Sequence, residues 1–189
     1  MNKIIPVKVS FAANLQKSDF LNPRIPIGTL WEFEHYRAGK LVDQWKQGNV
    51  TTTEGLNALL DIMFHAATQI TTWYMLVFED DVTPLITHTY AVPGFTECAA
   101  ITAETRPEYV DAAAAAKVMT NTASKATFTF IASKTIYGAA LVGGGSDGNT
   151  IGDAAGGGTL FAASKFGTSK SVVSTDILLV SCTITLADV

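Results

Sequence analysis

The side chains that could do chemistry in this chain are few, and they do not assemble into a known pattern. Gly144-Gly-Ser-Asp-Gly148 has the spacing of a nucleophile elbow, in which Ser146 would attack an acyl carbon while a histidine takes its proton. An elbow needs a helix directly behind the serine and a base from a later histidine. Residues 149–158 are glycine-rich instead, and His35, His65 and His88 all precede Ser146. A triad in another chain order would have to recruit one of these three, so the pentapeptide reads as loop. His35 falls on a hairpin and His65 on a helix, where single histidines are packing or surface residues.

Metal and cofactor chemistry fare no better. Glu79-Asp80-Asp81, or Asp147 with Asp153, could offer oxygen ligands to calcium, but the EF-hand spacing is absent and a solvated turn explains the acids. Cys98 and Cys182 are far apart and neither has a partner at CxxC spacing, so both read as buried free thiols. No Walker A sequence and no G-x-G-x-x-G behind a strand occurs. The expectation is a protein without catalytic, cofactor-binding or metal-binding residues.

Trp31, Trp45, Trp73, Tyr74 and Phe78 could stack a sugar or a base, but aromatic residues in strands serve more often as core or interface anchors. A sugar site would require rings presented at the surface beside polar groups. Asn49-Val-Thr51 matches a glycosylation sequon and, with no secretory signal read at Met1 to Lys8, stands as the approach to a helix.

The whole-chain quantities restrict the partners. Thirteen basic residues are scattered and the net charge is −4, the wrong footprint for nucleic acid. Charged residues make up 16% and mean hydropathy is +0.25, a surface poor in charge for a lone monomer. Apolar area shared between subunits accounts for that, so an oligomer or larger assembly is expected. The longest uncharged apolar stretch, Ile177 to Leu186, is half a bilayer crossing and is broken by Ser181, Thr183 and Thr185, so no transmembrane helix is expected.

The elements that must carry these residues are mostly strands. Lys3 to Ala13 alternates loosely through Ile5, Val7, Val9 and Phe11 as a half-buried strand, and Gln16 to Pro26 is loop. Gly28 to Arg37 and Lys40 to Lys46 flank Ala38-Gly39, a hairpin whose turn needs positive φ at the glycine. Thr51-Thr-Thr-Glu54 fits a capping box, with the Thr51 hydroxyl accepting the Glu54 N–H. Behind it Leu56, Leu59, Leu60, Met63 and Phe64 recur at helical spacing, which predicts a helix over about 52–67 with one apolar stripe against the sheet. Thr72 to Phe78 reads as a central strand covered on both faces. Residues 83–125 are punctuated by Thr83-Pro84, Pro93-Gly94 and Arg106-Pro107. Their alanine tract suits a helical turn, an extended arm or a strand, and Tyr109 to Met119 is taken as strand. Ala126–Ile131, Lys134–Val142, Gly158–Ala163 and Asp176–Leu186 are strands, and the glycines of 143–158 bracket a flexible loop.

The runs Asn49 to Asp61, Trp73-Tyr-Met-Leu-Val77, Glu104 to Tyr109, Thr135 to Leu141, Phe161 to Phe166 and Asp176 to Val180 resemble small virion proteins encoded among the head and tail genes of tailed bacteriophages. The likeness covers roughly residues 40–187 and departs from the usual pattern in the alanine tract. It implies an all-β, antiparallel β-sandwich, jelly-roll-like in one variant, with the one amphipathic helix near residues 52–67. An arm and loop at 1–27 would precede a single domain at 28–189. It also implies a non-enzymatic part of the virion, first of all a capsid decoration or cement protein. That part would be assembled in the host cytoplasm, bound to the major capsid protein or other virion proteins, and self-associated with a trimer favoured. A collar, tail or baseplate component is the near alternative, a carbohydrate-binding receptor module one of another class, and an enzyme the third. Ile4, Ile5, Val7, Val9 and Phe11 are the expected interface, because an alternating strand suits addition to a neighbour's sheet edge.

Overall fold

The computed structural model describes residues 27–187. Period-two alternation sets the first strand: in β1 (Ile27–Arg37) Thr29, Trp31, Phe33 and His35 point inward while Leu30, Glu32 and Glu34 face out. β1 turns through Ala38 and Gly39, both at positive φ (49° and 73°), into β2 (Lys40–Gly48). Two left-handed residues make the tight turn whose twist matches the strands it joins. β1 also pairs antiparallel with the last strand, β9 (Ile177–Leu186), from Ile27 opposite Leu186 to Tyr36 opposite Ile177. β5 (Val118–Thr120) and β6 (Ala126–Thr129) both pair with β9, which completes one sheet in the order β2-β1-β9-β5.

The second antiparallel sheet has the order β3-β8-β7-β4, from β3 (Val50–Thr51), β8 (Thr159–Val172), β7 (Lys134–Gly143) and β4 (Trp73–Phe78). The protein is thus an all-β antiparallel sandwich with one helix, as the sequence predicts. Its main core lies between the sheets, where Trp31, Phe33, Phe128, Leu178 and Val180 meet Met75, Ile136, Leu141 and Phe166. A second cluster sits on the far face of β4, β7 and β8, where Phe95 stacks on Phe78 at 4.4 Å between centroids and Tyr90 joins Leu76, Val142 and Leu160. β4 is therefore covered on both faces. It ends its sheet's order rather than sitting in the middle. Its outer edge is nevertheless bonded, since Cys98 and Tyr109 N–H reach the Val77 and Trp73 carbonyls, each at 2.8 Å.

Two expectations about local structure need correction. Tyr109 to Met119 does not form a strand: residues 109–117 are irregular, and the chain becomes β5 only at Val118, after a turn with Ala116 and Lys117 at φ 51° and 65°. Ala112 to Ala116 are exposed, so the tract offers no large apolar side chain to hold one face in the core. The helix α1 (Thr53–Phe64) is present, three residues shorter at its end than expected, and its cap is Thr52 rather than Thr51. Thr52 Oγ1 accepts the Gly55 N–H at 2.9 Å and donates to the Leu160 carbonyl, which anchors the cap to β8.

The larger correction concerns the face the helix buries. Among its residues only Gly55 is buried, and the expected contact residues Leu60, Met63 and Phe64 are 54%, 65% and 82% exposed. The helix docks through its first turn: a Cβ on Gly55 would stand 2.6 Å from Phe161 Cα, so only glycine allows this approach. Beyond that turn α1 runs past the sheet. The apolar stripe exists, but beyond the half-buried Leu56 and Leu59 its members Leu60, Met63 and Phe64 face solvent.

Candidate functional site

Three constellations bring polar or apolar groups together, and two of them are internally satisfied. The first centres on Arg106, which is 4% exposed. Its Nε donates to both Glu97 oxygens at 3.1 Å and its Nη2 to Glu97 Oε2 at 2.7 Å and the Asp153 carbonyl at 2.9 Å. Nη1 donates to Tyr90 Oη at 2.8 Å and the Gly148 carbonyl at 2.9 Å. All five guanidinium N–H groups are thereby matched. Tyr90 Oη in turn donates to Asp153 Oδ2 at 2.7 Å, and that bond holds the Asp153 carboxyl below its ordinary range. Burial, followed by the same carboxylate, pushes the Tyr90 phenol up. A cavity of about 340 Å³ opens beside this cluster, lined by Leu76, Tyr90, Phe95 and Arg106 among others. The charged groups on its wall are spent on one another, so the arrangement is a clamp: it ties the loop at 144–158 to the excursion that covers β4.

Sequence reasoning missed this clamp. Its members, Tyr90, Glu97, Arg106 and Asp153, span 63 residues of chain in segments without periodicity. Glu54, expected as half of a capping box, instead accepts the N–H groups of Tyr90 at 2.8 Å and Leu160 at 2.7 Å, joining the helix start to the same region.

The second constellation is buried Asp176, which accepts from His35 Nε2 at 2.8 Å, Arg37 Nε at 2.9 Å, Arg37 Nη2 at 2.7 Å and the Val173 N–H at 2.9 Å. The Arg37 guanidinium holds its carboxyl far below the usual range, with the Val173 and His35 bonds adding to the effect. A histidine on an aspartate is part of a triad, but among the described residues no serine, threonine or cysteine side chain is hydrogen-bonded to His35. Asp176 fastens the β8–β9 turn to β1.

Ser146 stands apart from both. Its exposed hydroxyl donates to Asp147 Oδ2 at 2.7 Å, and turn and bend rather than helix follow it. The acidic triplet is likewise dispersed: Glu79 pairs with Lys134 at 2.8 Å, Asp81 with Lys165 at 2.6 Å, and Asp80 accepts the Thr96 N–H. Among the described residues no three His, Cys, Asp or Glu side chains converge as ligands. Both thiols are buried, which pushes Cys98 up to about 11 and Cys182 up as well. Of the five aromatics considered for stacking, Trp31 and Phe78 are fully buried, while Trp45 lies under the Lys170 ammonium at 4.3 Å and against Phe33 and Phe166. Trp73 and Tyr74 are half-buried.

The third constellation is apolar and unsatisfied. A groove of about 250 Å³ lies between Leu59 of α1 and the end of the sandwich, walled by Trp73, Met119, Phe161, Ile184 and Leu186, with Ile27 at its rim. Leu60, Met63 and Phe64 stand exposed on the same helix. This is the candidate interface. The residues expected in that role, Ile4, Ile5, Val7, Val9 and Phe11, lie outside the described residues, as does the expected strand from Lys3 to Ala13. No protein-family model matches the chain, and no curated protein matches it either.

Proposed function

We propose that this chain is a non-enzymatic structural protein of a tailed-bacteriophage virion, a capsid decoration or cement protein that self-associates and binds the assembled shell. The observation that carries the reading is the helical stripe of Leu60, Met63 and Phe64, large apolar side chains held in regular structure yet outside the core. A monomer gains nothing from such a face, whereas a subunit in an assembly buries it. Leu85, Ile86 and Val92, exposed on the excursion, form a further apolar group for contact with the shell. The polar clusters support the same reading, because the Arg106 and Asp176 groups are used up in holding loops to strands.

Binding that exists only on the assembled lattice stabilises that lattice by linkage, since free capsid subunits have nothing to gain from it. The test is co-sedimentation of the purified protein with particles of the phage that encodes it and, separately, with unassembled capsid subunits. Retention by particles alone is expected. A protein that ignores particles at micromolar concentration would sink the reading, and density for it at the collar, tail or baseplate in a particle map would move it there.

A further inference from the structure

We infer that the polar groove between the segment at 68–72 and the loop at 144–149 binds a neutral saccharide, stacked on Tyr74. This goes beyond shell binding and stands or falls independently of it.

The groove has a volume of about 430 Å³, within the range of about 300–1,000 Å³ usual for small-molecule sites. Most such sites are walled by hydrocarbon, and this one is not. Thr68, Gln69, Thr71, Thr72, Ser146 and Asn149 supply hydroxyl and amide groups, and among the described residues no Lys, Arg, His, Asp or Glu lines it. Its polar groups are also uncommitted. Whereas the Arg106 and Asp176 clusters use up their own donors and acceptors, no hydrogen bond among the described residues engages the side chains of Thr68, Gln69, Thr71, Thr72 or Asn149, or the Tyr74 hydroxyl. Each of these groups can both donate and accept, as the hydroxyls of a sugar require.

The ring and the wall are held in place beforehand. Tyr74 is half-buried and packs against the second core cluster while it lines the groove, so it loses little freedom on binding. The C–H groups of a pyranose suit the negative face of such a ring. The loop opposite is fixed by the Ser146 N–H on the Gly156 carbonyl at 2.8 Å, and by Arg106, whose side chain and backbone N–H reach the Gly148 and Asn149 carbonyls at 2.9 and 2.8 Å. The clamp thus shapes the site.

Other ligand classes fit less well. A nucleotide or other phosphate finds no cation on the wall. A peptide adding a strand to β4 finds that edge taken, since the Tyr109 N–H donates to the Trp73 carbonyl and the Met75 N–H to the Pro107 carbonyl, each at 2.8 Å. An apolar ligand would strip water from the hydroxyls and leave them unpaired.

Saturation-transfer difference spectra of the full chain with neutral tetrasaccharides of glucose, galactose, mannose and N-acetylglucosamine test this. Transfer to at least one is expected, with a Kd on the order of 1 mM for one stacked ring and a few hydrogen bonds. Tyr74→Ala should weaken binding at least about tenfold, Tyr74→Phe less than about threefold, and Gln69→Ala or Asn149→Ala about three- to tenfold each. Gln69 and Asn149 are exposed, so their variants read the groove without touching the core. A gain of about tenfold from mono- to tetrasaccharide would show that a glycan chain fills the groove, and equal affinity that a free sugar does; both keep the site. No transfer from any of the four at about 20 mM overturns the inference. Binding that Tyr74→Ala, Gln69→Ala and Asn149→Ala all leave unchanged places the sugar elsewhere and overturns it too, and a sulfated form that binds more than about tenfold tighter overturns the neutral ligand.

Discussion

Replacing Arg106 with methionine should cost about 3–5 kcal/mol, the range for breaking a buried ion pair by removing one partner. Glu97, whose side chain is 8% exposed, would keep the Gly152 N–H at 2.7 Å and lose all three contacts to the cation. The Gly148 and Asp153 carbonyls would also lose their donors, at about 1 kcal/mol each where no water can replace them. Part of this is recoverable because the loop at 144–158 can move toward solvent, so the sum is an upper bound and the ion-pair term sets the expected value. With a domain stability of about 5–15 kcal/mol, the variant stays folded but loses a large fraction of its margin. Urea unfolding followed by tryptophan fluorescence reads this as a midpoint lower by about 2 M, for a slope of about 2 kcal/mol/M. The pair Arg106→Met with Glu97→Met should recover about 1–3 kcal/mol relative to the sum of the single variants, since an apolar pair leaves no stranded charge. A midpoint shift for Arg106→Met under about 0.3 M would mean the cluster is solvated, and the clamp would have to be abandoned.

Leu60→Ala should change the urea midpoint by no more than about 0.5 kcal/mol equivalent, while Phe128→Ala, in the main core, should cost about 3–5 kcal/mol; equal costs would put the helical stripe back in the core. Gly55→Ala should lose about 1–3 kcal/mol because the new Cβ meets Phe161 backbone rather than a movable side chain, and an unchanged melting temperature would show that α1 docks elsewhere. Asp176 has its carboxyl depressed in the folded state, so its stabilisation is fully present above the unfolded value of 3.8 and is lost as pH falls toward the folded value. The stability gap between the native chain and Asp176→Asn should therefore be widest near neutrality and shrink below about pH 4, and a gap that stays constant down to pH 2 would contradict the buried ion pair.

What could be read from sequence was whatever a short window contains. Ala38-Gly39 between two alternating runs marks a hairpin because the turn's positive φ and the strands' period are both local. The apolar runs of β6, β7 and β9, whose one charge is Lys134, carry their own burial pattern in the same way. The period of α1 was equally legible, yet a stripe at three- and four-residue spacing says that one face is apolar and nothing about what lies opposite. Leu60 and Phe64 were placed in the core for that reason, and the geometry of Gly55 on Phe161 carries them past it. The alanine tract misled because alanine suits helix, strand and coil nearly alike once no large neighbour anchors it. The Arg106 clamp was invisible for a different reason. An arginine beside a proline has no periodic signature, and its partners come from its own excursion and from the loop at 144–158, whose meeting depends on the finished sheet.

The pairing of β1 with β9 also sets the order in which the molecule can be made. During synthesis the β1–β2 hairpin leaves the ribosome with Trp31 and Phe33 uncovered, and the strand that completes its sheet follows about 140 residues later. At about 5–20 residues per second, that interval lasts on the order of ten seconds. Closing such a long loop is slow even for a finished chain, because most of the contacts that reward it are remote in sequence. The β7–β8 hairpin, by contrast, needs only its own loop and can form as soon as it emerges. Nascent chains of this protein should accordingly populate a state in which the β7–β8 side is formed while the β1 edge still waits for its partner, and that edge is where a chaperone or a second nascent chain would meet it.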